Sequence, residues 1–263
     1  MDVKNVDAPS ARSRADEILR IALDIGGAIL KSGGEINRVE DTVTRICEAY
    51  GAKHIEIFAI PSVMIAAIRL ENGEYSSQVR RIDNVSNDLY TLERFNDISR
   101  KICKSVPSFD AVDKMIRDAK SHEPYPWWLC LIGAIIAAGG FAVFFGGDFL
   151  DGIAAGIVAV PIYFIDTVSF KRVNRLAKTV MQAFIGGILA LLAIIVGIGS
   201  HEGMIMIGTI MLIIPGLSFG TAFRDLLCGD FLAGTLKTVQ CILAALMIAA
   251  GYLLSMFLLG GYI

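Results

Sequence analysis

The residues best suited to chemistry lie where one apolar stretch breaks off into charge. It reads Ile213-Ile214-Pro215-Gly216-Leu217-Ser218-Phe219-Gly220-Thr221-Ala222-Phe223-Arg224-Asp225. Proline has no N–H, so the carbonyl one turn earlier loses its helical donor. In a bilayer such a break is tolerated where the backbone is buried in protein or lines an aqueous cavity. Transporters use it to turn helix ends and free carbonyls toward solutes. Ser218 and Thr221 lie three residues apart and share a face. Arg224 offers a planar fork to a carboxylate, and Asp225 either pairs with it or accepts a proton. Pro215, Gly216, Ser218, Thr221 and Arg224 are therefore the candidates for solute binding or gating. Asp225 and Asp166 are candidates for ion coupling, because ionisable groups inside spans are expensive and often functional. A plain proline kink with a charged interfacial cap accounts for the same stretch. Asp166, five residues after Pro161, equally marks the end of a short helix.

A second charged group follows Gly33-Gly34: Glu35, Arg38, Glu40 and Asp41. A hydrolase could use a carboxylate pair there with His54 as base. The chain has no G-x-S-x-G elbow, no H-E-x-x-H and no P-loop. Gly33, Glu35, Arg38 and Glu40 read better as a gate or inter-subunit contact than as a catalytic site. Cys47, Cys103, Cys130, Cys228 and Cys241 are scattered without a C-x-x-C pair, so no zinc site or disulfide framework is expected. No cofactor is implied. Asp148, Asp151, His201 and Glu202 read as caps or solvating groups of outer loops.

The elements that must position these residues divide into two chemistries. Of the 50 charged side chains, 12 lie in 127–263. The whole chain is 54% hydrophobic, with a mean hydropathy of +0.60. Its net charge of -2 gives no basic field for nucleic acid. A spanning helix needs about 20 mostly apolar residues, and Trp127–Gly147, Thr179–Ser200, Gly203–Phe223 and Thr238–Ile263 meet this. Gly152–Ile165 meets it if Asp166 sits near an interface. Basic residues gather before the first span (Lys114, Arg117, Lys120), after the second (Lys171, Arg172, Arg175, Lys178) and after the fourth (Arg224, Lys237). Five spans with the N-terminus inside put all of them on one face, as the positive-inside rule requires. Tyr125, Trp127 and Trp128 suit an aromatic belt. Gly152 with Gly156, and Gly216 with Gly220, have the spacing of close helix packing. The polar first 20 residues lack the apolar core of a signal peptide.

Before the membrane region, Ile18, Ala22, Ile25, Ile29, Ile36, Val39, Val43 and Ile46 recur at helical steps over 14–50. Gly33-Gly34 kinks or divides that run. His54–Ala59, Val63–Leu70 and Tyr75–Ile82 have strand composition, and Asn72-Gly73 is a hairpin signal. Helices are expected from about Ser86 to Lys104 and, capped by Ser108, to Ser121. The fold class is thus an α-helical integral membrane protein with about five transmembrane helices, preceded by a small cytoplasmic α+β domain. The expected boundaries are a disordered 1–13, the α+β domain at 14–123 and the transmembrane domain at 124–263. The spans are expected near 127–147, 151–168, 179–200, 203–223 and 238–260.

These residues resemble a known family. The run Gly26-Gly27-Ala28-Ile29-Leu30-Lys31-Ser32-Gly33-Gly34-Glu35-Ile36-Asn37-Arg38-Val39-Glu40 resembles the opening of the N-terminal domain in the threonine/serine exporter family. Tyr125-Pro126, Phe145-Gly146-Gly147 with Asp148 and Asp151, Pro215-Gly216, Arg224-Asp225-Leu226-Leu227 and Gly229-Asp230 follow in that family's order. Asp230 joins Asp166 and Asp225 as an ion-coupling candidate. The resemblance implies export of small polar metabolites. It also implies a split branch, in which a five-span chain works beside a smaller four- or five-span membrane protein. One bacterial pair of that branch is associated with succinate export. Members often carry Asn where Thr221 stands, which leaves the solute open.

The expectation is a secondary exporter subunit of the plasma membrane for threonine- or serine-like amino acids or dicarboxylates, driven by an ion or proton gradient. It would work as a hetero-oligomer with that second protein or as a homo-oligomer. A membrane-tethered enzyme and a non-transporting accessory or sensor protein are the rival expectations.

Overall fold

The computed structural model describes residues 13–83, 85–121, 125–167 and 174–260. The expectations for residues 1–12, for Lys171 and Arg172, and for the last three residues lie outside that set. The chain forms two compact units, one of Met1–His122 with Leu217–Thr238, the other of Glu123–Gly216 with Val239–Ile263.

The first unit opens with α1 (Arg14–Lys31). Ser13 accepts the Ala15 N–H at 3.2 Å as its N-cap, and Asp16 and Glu17 complement the positive end of the helix dipole. The helix stops because Gly33 takes φ +89°, a left-handed conformation that costs glycine little. Gly33 N–H then bonds to Leu30 O at 3.1 Å and Gly34 N–H to Ile29 O at 3.0 Å. A side chain at Gly33 would also meet Asn87 Oδ1 at 2.8 Å. The interruption legible at Gly33-Gly34 therefore divides the helix, and α2 (Ile36–Ala49) starts afresh.

A three-stranded antiparallel sheet follows in the order β1 (Ala52–Ile60), β2 (Val63–Leu70), β3 (Tyr75–Arg81). Its inner face buries Met64, Ala66, Ile68 and Ser76. Its outer face carries Phe58, Ile65 and Val79 as one exposed row across the strands. α3 (Leu89–Ser105) begins later than the sequence suggests. Ser86 and Asp88 give their N–H groups to Lys31 O and Ser32 O, which ties that segment to the end of α1, and Asp88 caps the helix instead. α4 (Phe109–Lys120) is capped by Ser108. Ile18, Leu19, Ile25, Val43, Met64, Phe95 and Ile102 form one core with no exposed surface.

The second unit is a helical bundle: α5 (Trp127–Phe144), α6 (Phe149–Thr167), α7 (Arg175–Val196), α8 (Glu202–Ile213) and the later part of α10 (Phe231–Leu259). Among the described residues four helices are long and apolar enough to cross a membrane, or five if α8 and α9 (Gly216–Leu227), bent by 59° at their break, count as one span. Their outward faces are large and apolar, with Ile136, Phe144, Phe149 and Phe257 strongly exposed, which suits lipid rather than water.

Close approach of small residues holds the bundle together, as expected where lipid removes the hydrophobic drive between helices. A Cβ at Gly208 would sit 2.4 Å from Ala138 O, one at Gly139 2.8 Å from Gly152 O, and one at Gly251 2.6 Å from Ala183 Cβ. Gly152 and Gly156 pack against Val143 and Ile135, as their spacing suggested. Gly216 and Gly220 have no atom within 4 Å of such a Cβ among the described residues, so that pair serves no packing seam there.

Gly208→Val is expected to lower the thermal midpoint of the full chain in detergent, by the equivalent of at least about 1–3 kcal/mol of overpacking. Gly133→Ala, which faces open space, should leave it unchanged. Melting curves of the two variants side by side check this.

Candidate functional site

The helix of the fourth apolar stretch ends where the proline requires. Pro215 has no N–H to give Met211 O, Ile214 turns extended (φ −65°, ψ 133°), and α9 starts at Gly216. Within α9 the Thr221 hydroxyl donates to Ser218 O at 3.0 Å. That hydroxyl is therefore engaged in its own helix. α9 ends as α1 does, with a glycine in the left-handed region: Gly229 has φ +94°, and Asp230 N–H bonds to Asp225 O at 2.9 Å. The return helix α10 packs tightly on α9, since a Cβ at Gly234 would lie 2.6 Å from Leu226 Cγ.

This hairpin, residues 217–238, belongs to the compact unit of the N-terminal domain. Asp225 is 1% exposed. Its Oδ1 accepts the Ile36 N–H at 3.1 Å, and its Oδ2 accepts from Lys237 Nζ at 2.7 Å. Lys237 Nζ also reaches Gly34 O at 3.4 Å. The α2 N-terminus is thus capped from nearly two hundred residues away. The local N-cap, Glu35, makes no side-chain cap bond. Its carboxylate turns instead to Arg224 Nη1 at 2.9 Å. The Gly33-Gly34 turn exposes the Gly34 carbonyl and the Ile36 N–H side by side, a donor and an acceptor that fit a Lys–Asp pair.

Glu40, one turn further along α2, accepts the Ala59 N–H of β1 at 2.8 Å. Burial pushes its carboxyl above the ordinary range; the Ala59 N–H opposes this and the charge of Asp230 adds to it. Asp230 is raised too, by burial first and by Asp225 second, against the pull of Lys237.

Of the sequence-predicted residues, the structure gathers Gly33, Glu35, Glu40, Arg224, Asp225 and Asp230 in this unit. Arg38 is exposed. Arg224 and Asp225, expected as partners of each other, take different partners because successive helical residues point in different directions. Asp166 lies exposed at the end of α6, 3.2 Å from Lys178. His54 stands exposed on β1 opposite Arg69, while Glu35 turns to Arg224. Lys237 is the member of this cluster that sequence reasoning missed. It read as a loop charge, and its signal was its place inside an apolar run, twelve residues from an aspartate.

The second unit holds its own buried acid. Asp151 is fully buried rather than solvated. It accepts N–H groups from Asp148 (2.9 Å), Ser200 (2.7 Å) and His201 (3.0 Å), and it lies 2.8 Å from His201 Nδ1. Asp148, Asp151 and His201 bring ligand atoms within 4.8 Å of one another, yet the Asp151 oxygens are already engaged by these donors. The pairing raises the His201 pKa, chiefly through the bond to Asp151. In the bundle interior, Thr209 and Tyr252 share a 2.8 Å hydrogen bond.

Residues 20–259 match the sequence model of the family described as "Putative threonine/serine exporter". A curated relative from Mycobacterium tuberculosis, "Probable threonine/serine exporter", is 22% identical over 246 residues. The match covers 91% of this chain and 46% of that protein, so the chain spans less than half the relative's length. No solved structure matches.

Breaking the buried pair by Asp225→Ala or Lys237→Ala is expected to cost about 3–5 kcal/mol, because an unpaired charge stays behind. Arg224→Ala, at an exposed ion pair, should cost no more than about 1 kcal/mol. Chemical or thermal unfolding of the three variants reads the contrast. His201 supplies a separate pH dependence. Its folded pKa is raised, so its stabilisation is present at acid pH and lost as pH rises through that value. His201→Ala should remove that part of the pH profile.

Proposed function

Because the chain belongs to the threonine/serine exporter family, we propose that it is a subunit of a secondary exporter for small carboxylate-bearing metabolites: threonine- or serine-like amino acids, or dicarboxylates such as succinate. The observation that carries this reading is the charged cluster of Glu35, Arg224, Asp225 and Lys237 at the end of the broken span. Arg224 is the exposed member of its pair, so its guanidinium is free to exchange Glu35 for a solute carboxylate at little energetic cost. Asp225 and Lys237 hold the turn behind it. Pro215 and Gly216 supply the break at which backbone polar groups become available, and Ser218 and Thr221 line the first turns after it.

The family supports transport rather than catalysis. Energy then comes from an ion or proton gradient, with Asp225, Asp230 and Asp166 as the carboxylates in the coupling role. We place the protein in the plasma membrane with its N-terminus in the cytoplasm. The basic residues flanking the apolar helices support that orientation through the positive-inside rule. The N-terminal domain serves as a vestibule or gate, with Gly33, Glu35, Arg38 and Glu40 on the surface that meets the solute path or a neighbouring subunit. The resemblance to the split branch of the family supports assembly with a second, smaller membrane protein, with a homo-oligomer as the other assembly.

Cells loaded with threonine, serine or succinate test this. Export is expected when the chain is expressed with its neighbouring small membrane protein. It should fall at least several-fold in Arg224→Ala at equal protein level. Export indifferent to Arg224→Ala would remove the site assignment. Export by this chain alone would remove the partner.

A further inference from the structure

The turn between α9 and α10 carries a polar atom that nothing satisfies. Asp230 Oδ2 is buried and has no hydrogen-bond partner among the described residues. The charged groups that act on Asp230 come from three elements: Glu40 on α2, Asp225 on α9 and Lys237 on α10. β1 contributes the Ala59 N–H, which is given to Glu40. Glu35 and Arg224 pair with each other at 2.9 Å.

The single buried ammonium in this group is committed. Lys237 Nζ lies 2.7 Å from Asp225 and 3.4 Å from Gly34 O, and Asp225 takes the Ile36 N–H as well. Both Asp225 oxygens therefore have partners. Asp230 and Glu40 are left as two neighbouring acids without a cation of their own. Two carboxyls so placed ionise one after the other rather than together. A proton on the orphan Oδ2 removes the uncompensated charge from a buried acceptor that has no donor.

We propose that Asp230 is the proton-binding site of this cluster, with Glu40 as its neighbouring acid, while Asp225 is engaged by Lys237 and the α2 N-terminus. The chemistry is reversible addition of one proton to a carboxylate. Uptake removes the repulsion of Asp230 with Glu40 and Asp225 and draws the α9–α10 turn onto α2. Release restores the repulsion and loosens the turn. The role of this proton in transport rests on the exporter reading, whereas its binding does not. Burial and like charge both raise the Asp230 and Glu40 carboxyls, consistent with proton uptake above the ordinary carboxylate range.

The sign follows from linkage. A carboxyl raised in the folded state adds stability that is present below its unfolded pKa and lost as pH rises through its folded value. The full chain in lipid nanodiscs is melted from about pH 5 to about pH 8, as wild type, Asp230→Asn, Glu40→Gln and Asp225→Asn. Asp230→Asn is expected to melt above wild type at the alkaline end and to gain less on acidification. Glu40→Gln should move the wild-type gain to lower pH. Asp225→Asn should melt lower throughout and move the gain to lower pH, because Asp225 raises the Asp230 carboxyl and the freed Lys237 lowers it. The contribution of His201 is common to all four and cancels in the differences. A wild-type slope in Asp230→Asn overturns the proposal, and so does a gain that Glu40→Gln and Asp225→Asn both leave at the wild-type pH. Failure of both Asp230→Asn and Glu40→Gln to fold also overturns it, because a neutral side chain at these positions is then not a native state. Export is scored separately: a chain that keeps this pH signature but exports nothing counts against the exporter reading alone.

Discussion

The arrangement of the first unit depends on one buried carboxylate. Asp225 sits between a lysine ammonium and the N-terminus of α2, with almost no surface of its own. An ion removed from water needs an opposite charge and its hydrogen bonds filled. Here Lys237 supplies the charge and the Ile36 N–H one of the bonds, with the positive end of the α2 dipole behind it. The same contact serves the helix, whose own N-cap residue makes no side-chain cap. Each partner thus meets a requirement of the other, and the α9–α10 hairpin is fastened to the N-terminal domain as a result. The left-handed glycines Gly33 and Gly229 make this possible by turning the chain sharply on both sides of the contact.

The second unit uses the same device. Asp151 is fully buried and is held by three backbone N–H groups and the His201 ring. It ties the start of α6 to the link between α7 and α8. Both aspartates stand near the end of an apolar segment, and both satisfy N–H groups at or just before a helix start that lacks a local side-chain cap. In a protein whose helices are mostly apolar, few polar side chains are at hand to cap helix ends. A single aspartate brought in from another segment fills that need and fixes the position of two elements at once.

A membrane protein of the threonine/serine exporter family needs polar groups that can change partners without unfolding the chain. The charged cluster offers two grades of them. Asp225 and Lys237 are buried and mutually neutralised, so they are costly to separate. Glu35 with Arg224, and Asp230 with Glu40, lie at its margin, one pair exposed to competing ions and the other short of a cation. One hairpin and one helix start thus hold a buried ion pair beside an exposed one.

The sequence by itself determined the class of the fold. Runs of apolar residues long enough for a bilayer, the strand pattern with its Asn-Gly turn, and the basic residues flanking the spans are local or periodic signals, and each reports its own element. The break at Pro215 and the division at Gly33-Gly34 were legible for the same reason, since both are backbone properties of single residues. The partners of the charged side chains were not. Arg224 and Asp225 are adjacent in sequence yet point to Glu35 and Lys237, and Asp151 looks like a loop residue until the 200–201 backbone closes over it. Lys237 looked like one more loop charge. A pairing between residues 36 and 225 has no period and no local pattern. It exists because burial makes an unpaired charge or helix end costly, and only the tertiary structure decides which groups are brought close enough to remove that cost.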